Sequence, residues 1–217
     1  MKADWERPVL KKFFESLLEV KAPGPYPSFS VVHVLKALEL IAEEGPIGRG
    51  KLSRALGTGE GSTRTLIARI KGAGLITISK SGCALTKKGE KVWKQYRLVF
   101  PQKVRLGKSE LTLDSCSVAV LVKEGFDRVK AGLEQRDAAV MEGAMGATTL
   151  VFVGEKLIVP SISQDVARDF PTAYRQIVRR MSLEEKDVVV IGSAQTWSKA
   201  EYGAIAAAWT LVEDDCG

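Results

Sequence analysis

The sequence predicts an α+β protein: an N-terminal winged helix-turn-helix domain followed by a small α/β sandwich domain. Three observations predict it. Between residues 47 and 86 two short helical patterns flank a Gly-rich turn, and two strand patterns joined by Lys80-Ser81-Gly82 follow. Residues 45–100 carry twelve Lys and Arg against Glu60 and Glu90 alone, the local basic surface that phosphate neutralisation needs. From residue 101 onward short apolar runs alternate with helical ones, and 14 basic residues meet 17 acidic ones.

The elements follow in order. Trp5, Val9, Leu10, Phe13, Phe14, Leu17 and Leu18 recur at helical spacing, which predicts an amphipathic helix whose apolar stripe covers the winged core or pairs with a second subunit. The Pro-Gly break KAPGPYPSF ends it. Ser28 or Ser30 can cap a helix to about Glu44, with Val31, Val34, Leu35, Leu38 and Ile41 inward, and Gly45-Pro46 stops it. A short helix over 50–56 points Leu52, Ala55 and Leu56 inward. Residues 60–73 form the third, buried through Thr63, Leu66, Ile67 and Ile70. Gly59 and Gly61 keep its entry small. Leu75–Ser79 and Cys83–Thr86 pair as the wing, and a helix with Val92, Trp93, Tyr96 and Val99 or Phe100 inward runs to Pro101.

The second half reads as strand 118–122, one helix or two over 125–144 broken near Gly132, and strands 148–153 and 156–159 joined by Gly154-Glu155. A helix over 173–181, strand 187–191 and a final helix capped by Ser198 complete it. That order suggests helices on a small mixed sheet. Expected boundaries are 1–27 for the N-terminal helix and linker, 28–103 for the winged domain and 104–217 for a sensory or dimerisation domain.

Composition narrows the function. With 45% hydrophobic residues the chain can build packed cores. It has no run approaching the ~20 apolar residues of a membrane span. Asp4, Glu6 and Arg7 interrupt any signal core, so a cytoplasmic protein with no membrane partner is expected. Cys83, Cys116 and Cys216 form no CxxC pair, and the single histidine, His33, sits among valines on an apolar face as a core or interface residue. A disulfide framework, a metal site and a cofactor are not expected.

The residues that would touch DNA follow from the third helix. Ser62, Arg64, Thr65 and Arg69 lie off its buried side and are expected in a groove, where an Arg can read guanine bidentately. Arg49, Lys51, Arg54, Lys80, Lys87 and Lys88 suit phosphates, which position without specifying sequence. In the second half Thr148, Thr149, Ser161 and Gln195 sit on or after strands, where α/β sheets place ligands, and are the candidate contacts for a small-molecule effector. Gly143 and Gly146 make neither GxGxxG nor a P-loop. Residues 101–217 hold no histidine, and Asp137, Glu142 and Asp165 form no evident pair, so no catalytic residue is assigned. An enzyme of unknown reaction in the second half, or a winged helix that contacts only proteins, are the alternatives.

Leu56-Gly57, Ser62-Thr63, Ile67, Ile70 and Ala73-Gly74-Leu75-Ile76 have the spacing of prokaryotic winged-helix transcriptional regulators. Leu85-Thr86 followed by Gly89 resembles the L-T-x-x-G run that often follows the wing in such proteins. This resemblance covers about residues 28–100, with Gly59 standing where those regulators usually carry a Ser or Thr cap. Through PSFSVVHVLKALELI, LGTGEGSTRTLIARIKGAGLI and GATTLVF the whole chain is similar to a group of archaeal winged-helix proteins with an uncharacterised C-terminal domain. The resemblance implies an archaeal DNA-binding transcriptional regulator whose partner is double-stranded DNA. A homodimer on two half-sites is expected with it.

Overall fold

The computed structural model describes residues 7–19 and 28–212, and Trp5, Cys216 and most of the KAPGPYPSF segment lie outside them. The chain divides into two compact units at Tyr96/Arg97, earlier than the expected boundary at 103.

The first unit holds α1 (Arg7–Ser16), α2 (Val31–Glu44), α3 (Arg49–Leu56), α4 (Glu60–Gly72), the hairpin β1 (Ile76–Ser79) and β2 (Gly82–Leu85), and most of α5 (Lys87–Val99). Most of the core is as the periodicity predicts: Val34, Leu35, Leu38, Ile41, Leu52, Leu56, Leu66, Ile67 and Ile70 are buried, whereas Val31 and Trp93 are only half-buried. Ser30 caps α2, and His33 serves this cap rather than the core. Its Nδ1 accepts from Ser30 N at 3.2 Å and lies 3.0 Å from Ser30 Oγ.

One expectation about faces needs correction. Ala55 is exposed and Ser53 is buried instead, because Ser53 Oγ donates to Thr58 O at 2.7 Å and closes the turn. Of the two roles expected for the α1 stripe, the described residues support covering the core, with Phe13 and Leu18 half-buried. Leu10, Phe14 and Leu17 are buried, and Arg69 Nη1 donates to Leu17 O at 2.7 Å. Those three side chains therefore have no exposed surface to give a second subunit.

The second unit holds β3 (Lys103–Leu106), β4 (Cys116–Val122), α6 (Leu133–Met141), β5 (Gly146–Val153), β6 (Lys156–Ile158), α7 (Val166–Asp169), α8 (Pro171–Val178), β7 (Val188–Ala194) and α9 (Trp197–Trp209). Gly132, left-handed at φ 76°, breaks the 125–144 segment as expected. Gly154 and Glu155, at φ 58° and 60°, join β5 to β6 in a turn with two left-handed residues, the geometry that matches strand twist. The final helix starts two residues earlier than expected, since Thr196 and not Ser198 accepts from Lys199 N.

The sheet order is β3-β4-β7-β5-β6, and every pairing is antiparallel rather than mixed. The helical connections do join strands of like direction, β4 to β5 and β6 to β7, as a βαβ reading requires. A third strand is inserted between each such pair, so like-directed strands never touch.

Helices cover both faces. Ala119, Leu121, Leu150, Val189 and Ile191 pack with Ala173 and Ile177 of α8 on one face. On the other, α9 lies close enough to β7 that a Cβ on Gly192 would stand 2.5 Å from Ala204 N. A Cβ on Gly203 would likewise stand 2.5 Å from the Ala144 Cβ just after α6 and 3.4 Å from the Ala139 Cβ within it. Glu110 caps α8 from outside, its carboxylate accepting from Thr172 N at 3.1 Å and Ala173 N at 3.0 Å. Hydrogen bonds from its own backbone first, then from Ala173 and Thr172, outweigh burial and hold this carboxyl at about 2, against an ordinary 4.5. A lowered folded pKa contributes stability above about pH 4.5 that is lost as pH falls toward 2. Glu110→Gln should therefore melt below wild type at neutral pH and converge with it near pH 2. Parallel melting curves at every pH would contradict the cap.

Candidate nucleic-acid interface

The turn between α3 and α4 is built from glycine and hydroxyls. Gly57 is left-handed at φ 66°, and its N–H donates to Arg54 O at 3.2 Å. Thr58 Oγ1 lies 2.8 Å from Thr63 Oγ1, which donates to Gly59 O at 3.1 Å. Thr63 is fully buried, so this network fixes the start of α4 beneath its surface. Neither Gly59 nor Gly61 is required by the chain's own packing, since a Cβ at either would meet nothing within 4 Å. The space before the N-terminus of α4 is open, and Gly59 provides no side-chain cap there.

With Thr63, Leu66, Ile67 and Ile70 inward, α4 presents Arg64, Thr65, Ala68 and Lys71 to solvent. Arg64 and Thr65 are exposed, Thr65 Oγ1 donating to Gly61 O at 3.2 Å. Ser62 is half-buried, its hydroxyl 2.5 Å from that of Ser28. Arg69 is turned into the domain: besides its bond to Leu17 O, its guanidinium lies 5.6 Å over the Phe29 ring. Arg49, Arg54, Lys80 and Lys87 are exposed. Lys51 pairs with Glu44 at the surface, an ion pair cheap to exchange for a phosphate. Lys88 Nζ donates to Ala73 O at 2.8 Å and lies 5.5 Å over Phe13.

The wing carries Lys80 and Ser81 at its tip, between paired Ser79 and Gly82. A single-residue bridge, absent from the sequence reading, joins the wing to the loop before α3: Ile47 and Cys83 exchange both backbone bonds, at 3.0 and 2.9 Å. Gly82 permits this contact, since a Cβ there would stand 2.6 Å from Ile47 O. The Leu85-Thr86…Gly89 run has a physical role here. Thr86 Oγ1 donates to Gly74 O at 2.6 Å and accepts from Gly89 N at 3.0 Å, tying the wing's exit to the start of α5.

The candidate effector residues do not converge on one face. Thr148 Oγ1 donates to Leu111 O at 3.3 Å. Thr149, its strand neighbour, points to the opposite face. There it is buried against Gly132, with no hydrogen-bond partner for its hydroxyl. Ser161 is an exposed turn residue at φ 63°, and Gln195 is exposed with its carbonyl 3.6 Å from Cys116 Sγ. Because the sheet is antiparallel throughout, the strand-end rule that suggested these positions does not apply to it. Among the described residues no cluster of three His, Cys, Asp or Glu could hold a metal ion, and no helix is long and apolar enough to cross a membrane.

Two family models match separate parts of this chain. Residues 32–100 match the CggR N-terminal DNA binding domain, and residues 113–211 match a domain of unknown function, DUF4443. Among solved structures, the hypothetical protein PH0730 from Pyrococcus horikoshii OT3 is 28% identical over 88% of this chain and 96% of its own, with a TM-score of 0.69. A MarR family protein from Bacillus stearothermophilus is 26% identical over 40% of this chain and 59% of its own; its TM-score of 0.27 is too low to support a comparison of folds. No curated protein matches the chain.

Proposed function

We propose that this protein is a sequence-specific transcriptional regulator that binds double-stranded DNA through α4 and acts as a homodimer. The observation that carries the reading is the outward face of α4. Arg64, Thr65 and Ala68 stand exposed on a helix whose other side is locked into the core, and cations on α3, the wing tip and α5 are exposed in the same domain. The match of residues 32–100 to a DNA-binding domain model supports it. In the major groove Arg64 would donate to guanine O6 and N7, Ala68 would meet a thymine methyl, and the uncapped amides of α4 would donate to a phosphate in the open space at Gly59 and Gly61. Arg49, Arg54, Lys80 and Lys87 would hold the backbone.

Anisotropy titrations of duplex pools against the full chain test this. Affinity should fall with salt at a log–log slope of several units. On a selected site Arg64→Ala should cost about 1–3 kcal/mol while barely changing random-duplex binding, and Lys87→Ala should weaken both evenly. No binding at low salt would reject DNA as the partner; equal losses for both substitutions would reject Arg64 as a base reader.

Effector control through the second unit is the other part of the proposal. The buried, unpartnered hydroxyl of Thr149 supports it, since such a group gains by meeting a polar ligand. A metabolite at 100 times its dissociation constant should add about 2.7 kcal/mol of stability. A screen in which nothing shifts melting or DNA affinity would leave the unit an assembly domain.

A further inference from the structure

We propose that the head of α6 is a site for a small oxyanion, the carboxylate or phosphate group of a metabolite. The inference rests on the effector reading above and gives that effector a place and a chemical class. Gly132 stands at the N-cap of this nine-residue helix and brings no side chain to it. The first backbone bond of the helix runs from Arg136 N to Gly132 O at 3.1 Å. The amides before it, on Leu133, Glu134 and Gln135, have no side-chain cap. Such amides carry the positive end of the helix dipole and favour an anion. The carboxylate of Glu134, in the same turn, pairs with Lys130 at 3.2 Å instead.

A second, independent observation points to the same ligand. Thr149 is 4% exposed, and its hydroxyl has no hydrogen-bond partner among the described residues. It faces the head of α6: a Cβ on Gly132 would lie 3.5 Å from both Cβ and Oγ1 of Thr149. Buried hydroxyls are normally satisfied, and one left without a partner costs stability that a valine there would not. An anion oxygen lodged between this hydroxyl and the uncapped amides gives both the same acceptor. It reaches them where Gly132 is half-buried and Leu133 and Glu134 are exposed, past a backbone with no side chain to clear. From within, Gln135 is 1% exposed and its Nε2 donates to Thr210 Oγ1 at 2.6 Å, tying the first turn of α6 to the end of α9. The amides are therefore held in place before a ligand arrives. Lys130, whose surface pairing with Glu134 is cheap to exchange, supplies a positive charge beside them.

Amide NMR of the full chain, with inorganic phosphate and acetate titrated separately against chloride at constant ionic strength, tests the proposal. The amide signals of Leu133, Glu134 and Gln135 should shift and saturate. A response to phosphate alone identifies a phosphorylated ligand, and a response to acetate alone a carboxylate; either supports the site. Thr149→Val should raise the melting temperature of the anion-free protein, because it removes an unpartnered hydroxyl, and should weaken anion binding about tenfold. Thr149→Ser should keep the affinity. Silence of the three amides toward both anions overturns the proposal, as does a Thr149→Val protein that melts below wild type or binds the anion as tightly. Duplex titrations separate this site from the effector reading. Anion binding that leaves duplex affinity unchanged rejects the effector reading and leaves the site standing. A metabolite that shifts melting equally in wild type and Thr149→Val keeps the effector reading and rejects this site.

Discussion

Gly89→Ala is expected to unfold the first unit and abolish duplex binding while the second unit stays folded. A Cβ at position 89 would stand 2.1 Å from Leu75 O and 3.2 Å from Leu85 Cδ2. The carbonyl cannot step aside freely, because it accepts from Thr86 N at 2.9 Å. The same point binds Thr86 Oγ1 to Gly74 O and Gly89 N, so β1, β2 and the start of α5 are joined within a few ångströms. Forcing backbone apart there should cost about 3 kcal/mol or more. Amide exchange should show protection lost from α2 through α5 and kept across β4, β5 and β7. Unchanged protection in α4 with unchanged duplex binding would show that the contact is not needed.

Asp187→Ala should produce the converse: a destabilised second unit beside a winged unit that still binds duplex. The Asp187 carboxylate is buried and accepts from Glu184 N at 2.8 Å, Glu124 N at 3.2 Å and Lys123 Nζ at 2.8 Å. Burial opposes the Lys123 charge, but its bonds to Asp187 and Glu184 prevail and raise its pKa above the ordinary lysine value. Glu124 and Lys186 are left-handed at φ 51° and 68°, conformations unfavourable for residues with side chains. The carboxylate holds both turns closed. Removing it leaves the Glu124 and Glu184 amides without that acceptor and Lys123 with Glu184 alone, at a cost of about 1–3 kcal/mol for each amide left unsatisfied. Asp187→Asn should lose less, since an amide oxygen still accepts. A second-unit melting temperature unmoved by Asp187→Ala would refute the role.

The parts of this molecule that were legible beforehand are those set by local rules. Apolar spacing located α2, α4 and α5, and glycine placed the break at 132 and the turn at 154–155. What escaped depends on contacts distant in sequence. Strand β3, KVRL, carries two charges because it lies at a sheet edge, so it has no apolar signature. Ile47 joins the wing only through its single bridge to Cys83. Sheet direction could not be read because an inserted strand leaves the βαβ order of the sequence unchanged. On the surface of α4, exposure separated residues that periodicity treats alike. Arg64 and Arg69 both lie off the buried side of α4, yet Arg69 is held by Leu17 and Phe29, partners on a segment remote from α4.

The inserted strand has a consequence for how the chain is made. Strands β4 and β7, buried along both faces, form the centre of the sheet, yet β7 is translated some seventy residues after β4. At about 5–20 residues per second the apolar run SVAVLV waits several seconds for its partner, with the β3 hairpin as its only earlier neighbour in the sheet. During synthesis that exposed edge is where two nascent chains would most readily stick together. The flanking charges of β3, Lys103 and Arg105, stand beside it throughout the wait and act as gatekeepers against that error.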